Sequence, residues 1–204
     1  MRSWKPLGIG LLCLFAAGLQ PALAEMRTFW DQAEQRFITY DMDRMRAAGT
    51  GGGSSIKRQM VDYDGPAGAN TIIINTTERR LYYVFEKGKA WKYGVGVGRE
   101  GFQWAGSNRI SRKEEWPGWT PPPQMIARER AKGVVLPAYM EGGLNNPLGA
   151  RALYIGATLY RIHGSNQPST IGHAVSSGCI RMVNEDVMHL YEQVSVGTRV
   201  IVLR

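Results

Sequence analysis

From Thr71 onward the sequence is a succession of short β-branched and aromatic runs separated by turn formers, a pattern that favours paired strands over long helices. Thr71–Asn75 and residues 80–85 and 90–97 predict a meander whose hairpin turn falls at Lys87-Gly88. Residues 153–155 and 159–162 predict two further strands, and Arg199–Leu203 a last one. A helix is expected from Asn184, with Glu185 and Asp186 in its first turn, Val187, Leu190, Tyr191 and Val194 on one face, and Gly197 at its end. The expected fold is mostly β, with a packed C-terminal helix.

Upstream, residues 28–48 place Phe29, Ala33, Phe37 and Met45 among charged side chains, a loose helical pattern. Gly49-Thr50-Gly51-Gly52-Gly53-Ser54-Ser55 then reads as a flexible linker. Arg2 and Lys5, the apolar run from Leu7 to Leu19 and the small-residue site Ala22-Leu23-Ala24 form a secretion signal. The run is interrupted by glycines and is shorter than the ~20 residues of a spanning helix. The chain is therefore expected to divide into a signal over 1–24, an appendage and linker over 25–65, and a mostly-β domain over 66–204, with no transmembrane segment left after cleavage.

Export gives the cysteines their meaning. Cys13 lies in the signal, which leaves Cys179 as a single thiol in an oxidising compartment, without an intramolecular partner. The formal net charge is +8, two less once Arg2 and Lys5 are removed. In the periplasm or cell envelope such a charge favours lipid headgroups, lipopolysaccharide and wall-peptide carboxylates. Nucleic acid is not expected, because the chain is exported and its Lys/Arg runs never exceed two residues.

The segment with chemistry in it is Arg161-Ile162-His163-Gly164-Ser165, followed by Ile171-Gly172-His173-Ala174-Val175-Ser176-Ser177-Gly178-Cys179-Ile180-Arg181-Met182. An activated cysteine needs a base, backbone amides for an oxyanion, and a group that orients the base. His163 at a strand end, the small-residue turn Ser177-Gly178-Cys179 and the carbonyl of Gly164 are candidates for the three roles. By spacing alone a buried inert cysteine remains open. His173 is as much a bystander as a contact, and His189 is read as facing solvent or packing at the helix margin. No histidine pair has metal-ligand spacing, so no metal or cofactor is expected. Residues 96–101 match a dinucleotide glycine pattern, but Phe102-Gln103-Trp104-Ala105-Gly106 opens no helix, and the stretch reads as a strand end and turn.

The order His163-Gly164, Ile171-Gly172, Ser176-Ser177-Gly178-Cys179-Ile180-Arg181-Met182 resembles the signature of the YkuD-type L,D-transpeptidases. Gly94-Val95-Gly96-Val97-Gly98, Trp119-Thr120-Pro121-Pro122 and Asn145-Asn146-Pro147-Leu148-Gly149 resemble further family stretches in the same order. The resemblance, over residues 71–203, implies a β-sandwich of the L,D-transpeptidase catalytic-domain type. It implies a thiolate of Cys179 that attacks the diaminopimelate carbonyl of a tetrapeptide stem and expels D-alanine, before an amine resolves the thioester. His163 would be the base, oriented by Gly164, with the Gly178 and Cys179 amides facing the oxyanion. Arg181 would hold a substrate carboxylate, and Ser176, Ser177 and Trp119 would line the substrate site. Ser177 stands where family members most often carry histidine, a change read as tuning. The partners implied are peptidoglycan stem peptides and, as acyl acceptor, another stem or an outer-membrane protein or lipoprotein. A hydrolytic L,D-carboxypeptidase and a non-catalytic wall-binding module remain the alternatives.

Overall fold

A computed structural model describes residues 26–31, 36–41, 54–100 and 104–204, with backbone alone at 26–31, 36–41 and Val175. The expected signal and the run Gly49–Gly53 lie outside the described residues. The helix expected within 28–48 is corrected to an antiparallel pair of strands, β1 (Met26–Asp31) and β2 (Arg36–Asp41). Their register sets Trp30 opposite Phe37 and Phe29 opposite Ile38. Aromatic and β-branched residues fit a pleated ladder better than a helix.

The main sheet begins before the expected boundary at residue 66, because β3 (Gln59–Asp62) pairs with β6 (Lys89–Gly94) at one edge. It continues through β5 (Arg80–Glu86) and β4 (Thr71–Asn75) to β13 (Arg199–Leu203), which runs parallel to β4. The β5–β6 hairpin turns at Lys87-Gly88 as expected, and Gly88 has the positive φ of 80° that glycine adopts without strain.

The long strand β8 (Gly106–Glu115) joins the two halves of the sheet. Its first part pairs with β13 and its second with β9 (Arg151–Ile155), with a register shift between Ile110 and Arg112. Beyond β9 lie β10 (Arg161–His163) and β12 (Ile180–Arg181), which are parallel to each other. Ile72, Ile74, Leu81 and Tyr93 from one half share a single buried cluster with Leu153, Ile155, Ile162 and Ile180 from the other. At roughly 1.5–3 kcal/mol for each large apolar side chain removed from water, this cluster is what holds the halves face to face.

Two helices complete the domain. α1 (Pro123–Arg130) starts with the proline-rich loop, where a missing N–H at the first turn costs nothing. α2 (Asn184–Gln193) buries Val187 and Leu190, and Val194, just beyond its end, joins the same core. Lys113 Nζ donates to the carbonyls of Tyr191 and Val194 at 2.6 Å each, which satisfies acceptors that the helix end leaves open. Gly197 lies past that end, with φ 94°, in the turn before β13. Among the described residues no helix is long and apolar enough to cross a membrane.

The predicted strand over 90–97 stops at Gly94, and the chain changes partner. Gly96 bridges Arg181, and β7 (Val97–Gly98) pairs with β11 (Ala174–Ser176). Ile56 packs against Gly94, and the Thr170 carbonyl and Arg181 crowd Gly96, so side chains at either position would force this crossing apart. The glycine-rich segment therefore backs the strand that carries Arg181.

Candidate active site

Strand alternation places the site. Ile162 and Ile180 are buried in the core and are paired in the β10–β12 register. Their neighbours Arg161 and His163 on β10, and Cys179 and Arg181 on or beside β12, therefore point to the other face. Continuing the register sets Arg161 beside Cys179, and His163 is paired with Arg181. Two guanidiniums, one imidazole and one thiol thus occupy a single patch.

His163 is 4% exposed although it lies on the face away from the core. Its Nδ1 lies 2.6 Å from the carbonyl oxygen of Gly164. A carbonyl only accepts, so Nδ1 carries the hydrogen and the neutral ring keeps its lone pair on Nε2. Burial, then the charges of Arg181 and Arg161, push the imidazole down to about 3, against the opposing pull of the Gly164 and Leu148 backbone.

Gly164 is where it is because of close approach. A Cβ there would run into Asn184 Oδ1 and the backbone at Gly149-Ala150. Asn184 opens α2, and its Oδ1 accepts from the amides of Ala150 at 3.0 Å and Ser165 at 3.2 Å. One side chain thus fastens the helix, the end of β10 and the loop that covers His163. Sequence reasoning placed Asn184 only as a helix start; an asparagine at the head of a helix that also follows a glycine-flanked histidine was the available signal.

Cys179 is partly exposed, and its thiol donates to the Leu159 carbonyl at 3.8 Å. Burial pushes the thiol up, and the nearby charges of Arg161 and Arg181 act against that rise. Both shifts favour a thiol and a neutral imidazole over a preformed ion pair.

The turn before Cys179 departs from expectation. Ser176 Oγ accepts from the Gly178 amide at 3.1 Å and donates to the Cys179 carbonyl at 2.6 Å. Ser176 is 3% exposed, and its hydroxyl closes the turn. The Gly178 amide, expected to face an oxyanion, is engaged by that hydroxyl in the resting site. Gly178 has φ 105°, which a side chain would strain. Ser177 is half-buried beside it. Arg181 is fixed through its backbone on both sides, with its N–H donating to Gly96 at 2.8 Å and Met182 N–H donating to the His163 carbonyl at 2.8 Å.

Trp119 is held where two loops pair. Its backbone exchanges hydrogen bonds with Met140, both at 2.8 Å. The buried side chain of Asn146 donates to the carbonyls of Pro117, Met140 and Glu141 and accepts from the Leu148 amide at 2.8 Å. Asn146 thereby links the Trp119 loop to the loop over His163, a role the sequence did not disclose. His173 is exposed, and its backbone carbonyl accepts from Val97. His189 packs edge-on against Trp91 at 4.8 Å and hydrogen-bonds Tyr93 at 2.9 Å, which matches the packed of its two expected placements.

The model of the L,D-transpeptidase catalytic domain, YkuD, matches residues 69–202. The chain belongs to this family. A protein of Escherichia coli K12 named "Probable L,D-transpeptidase YbiS" is 45% identical over 135 residues, 63% of this chain and 43% of its own. Another from the same strain, named "Probable L,D-transpeptidase ErfK/SrfK", is 40% identical over 134 residues, 63% of this chain and 42% of its own. The match thus spans less than half the length of these relatives. The catalytic domain of the E. faecium L,D-transpeptidase is similar in fold, with a TM-score of 0.52 at 21% identity over 68% of this chain and 100% of that one. In the L,D-transpeptidase domain of this chain, the mostly-β fold with its packed helix matches the sequence-based expectation.

Proposed function

We propose that the chain is an exported peptidoglycan L,D-transpeptidase that works through an acyl-enzyme on Cys179. The observation that carries the reading is the shared face of His163 on β10 and Cys179 immediately before the adjacent strand β12, with the imidazole tautomer fixed by Gly164. A rotation about the Cys179 Cα–Cβ bond turns Sγ from the Leu159 carbonyl toward Nε2. His163 then takes the thiol proton as sulfur attacks the diaminopimelate carbonyl of a tetrapeptide stem. The carbonyl oxygen becomes an oxyanion, received by the Cys179 amide and by the Gly178 amide once Ser176 releases it. His163 returns the proton to the departing amine of D-alanine, which leaves a thioester. An acceptor amine, from another stem or from an envelope protein or lipoprotein, attacks this thioester and regenerates the thiol.

Arg181, partly buried beside the nucleophile, suits a substrate carboxylate, because a guanidinium grips it through two parallel hydrogen bonds. Trp119 forms part of the wall along which the stem would lie. The signal over 1–24 takes the enzyme to the periplasm, where its substrate is.

The test is incubation of the full chain with a tetrapeptide stem and separately with a carbapenem, read by mass spectrometry of the Cys179 peptide. A covalent adduct on Cys179, with loss of D-alanine from the stem and a new amide when an amine is added, is the expected result. Tripeptide as the sole product, whatever amine is present, would make the protein a carboxypeptidase. No adduct from either reagent would make it a binding module.

A further inference from the structure

The Cys179 side chain has a positively charged neighbour that the reaction above does not use. Arg161 sits one strand over from Cys179, two residues before His163, on the same face. Its Nη2 and the Cys179 thiol reach the same acceptor, the carbonyl of Leu159, at 3.5 and 3.8 Å. The guanidinium lies over the Tyr154 ring, 5.4 Å from its centroid, which holds it in place from the β9 side. Its Nε is buried and has no hydrogen-bond partner among the described residues. A buried, unpaired guanidinium donor is costly unless an anion completes it in some state of the protein.

The thiolate is that anion. Attack requires negative charge on Sγ, and the imidazole that receives the proton is itself disfavoured as a cation by its burial and by the flanking guanidiniums. A site of this kind cannot rely on a standing thiolate–imidazolium pair. It needs a fixed positive charge beside sulfur that takes no part in the proton transfer, and an arginine stays charged throughout.

We propose that Arg161 is a second guanidinium of the active site, one that holds the Cys179 thiolate by its positive charge on the adjacent strand and leaves Arg181 to the substrate carboxylate. The proton passes from Sγ to His163 Nε2, the charge forms on sulfur beside Arg161, and attack carries it on to the carbonyl oxygen. Release of the amine with the His163 proton leaves a neutral thioester, and Arg161 is again without an anion. This assignment rests on the acyl-transfer reading of Cys179.

The experiment is the pH dependence of Cys179 alkylation by iodoacetamide, followed on the Cys179 peptide by mass spectrometry in the full-length wild type, Arg161→Met, Arg161→Gln and Arg161→Lys. No substrate is needed, so the result stands apart from whether stem peptides acylate the enzyme. Arg161→Met should move the alkylation midpoint up by about one pH unit, the shift expected from loss of one adjacent opposite charge, and slow the reaction about tenfold at a pH below the midpoint. Arg161→Lys should recover most of the shift. Arg161→Gln can still donate to Leu159 but carries no charge, so it should behave like Arg161→Met and replaces it if that variant does not fold. A midpoint within 0.2 units of wild type (a threshold of about 0.3 kcal/mol) in either uncharged variant overturns the proposal. So does Arg161→Gln behaving as wild type while Arg161→Lys does not. Failure of the transpeptidase reading would show instead as absence of any stem or carbapenem adduct on a thiol whose Arg161 dependence is intact.

Discussion

His163 donates from Nδ1 to the carbonyl of its own neighbour Gly164 at 2.6 Å, and that one contact decides which ring nitrogen can act as a base. On the proposed acyl-transfer mechanism the base is His163, whatever occupies position 177. His163→Ala should lower the rate of Cys179 acylation by about a thousandfold or more, the usual size of losing a positioned general base together with its orientation of the nucleophile. Ser177→His should leave the enzyme active. Both are read from the time course of the Cys179 adduct. Near-normal acylation in His163→Ala, with loss in His173→Ala, would mean that the base is misassigned.

Asn184 carries two amides on one oxygen, those of Ala150 and Ser165. Asn184→Leu leaves both donors without that partner and puts a branched side chain against Gly149 and Gly164. Each unsatisfied buried donor costs about 1–3 kcal/mol, so urea unfolding should show a loss of about 2–6 kcal/mol. Acylation should slow as well, since Gly164 loses its anchor. A loss below about 0.5 kcal/mol, the size of an ordinary surface change, would show that the oxygen is not structural.

Ser176 Oγ joins the Gly178 amide to the Cys179 carbonyl. Ser176→Ala removes both bonds and frees the turn that presents sulfur. Expected are a loss of about 1–3 kcal/mol in unfolding free energy and slower acylation, with no change in the mass of the adduct. Faster acylation would show that the hydroxyl withholds the Gly178 amide from the oxyanion more than it orders the turn.

The strands of the meander, the β10 histidine and the amphipathic face of α2 were legible because each repeats its side-chain type at the spacing of its element. Strand β8 was not. No strand was expected over Gly106–Glu115, since its second half faces solvent with Arg112 and Glu114 and its inward Lys113 works through its ammonium group on the end of α2. Short β12 and β11 owe their pairing to partners remote in sequence, which no local pattern reports. The same holds for the site. Cys179, His163 and Gly164 carry chemistry in their residue types, whereas Arg161 and Asn184 matter through register and close approach, and only the fold brings those about. The Ser176 hydroxyl's bonds to Gly178 and Cys179 were not legible, because a hydroxyl's partner depends on a turn geometry that spacing does not fix.

The electrostatics of His163 also predict how stability depends on pH. In the fold the imidazole is held down to about 3, chiefly by burial and then by Arg181 and Arg161, from an ordinary value of 6.5. The unfolded chain therefore takes up a proton near 6.5 that the native protein refuses, so this group's contribution is complete above that pH and is lost as pH falls toward 3. Between pH 7 and pH 4 the loss is about 3 kcal/mol, from the span of pH over which only the unfolded state is protonated. Asp186, buried near Arg58 and raised to about 6, acts in the opposite sense, with stability present below its ordinary value and lost as pH rises through 6. The two are separated by comparing wild type with His163→Gln, in which Asp186 and the surface carboxylates are common to both. Urea unfolding at pH 7, 5.5 and 4 should show the wild type losing its advantage over the variant progressively, by about 3 kcal/mol across the range. A difference that stays constant with pH would mean that His163 takes up its proton as readily in the folded protein as in the unfolded chain, and that the neutral resting imidazole is wrong.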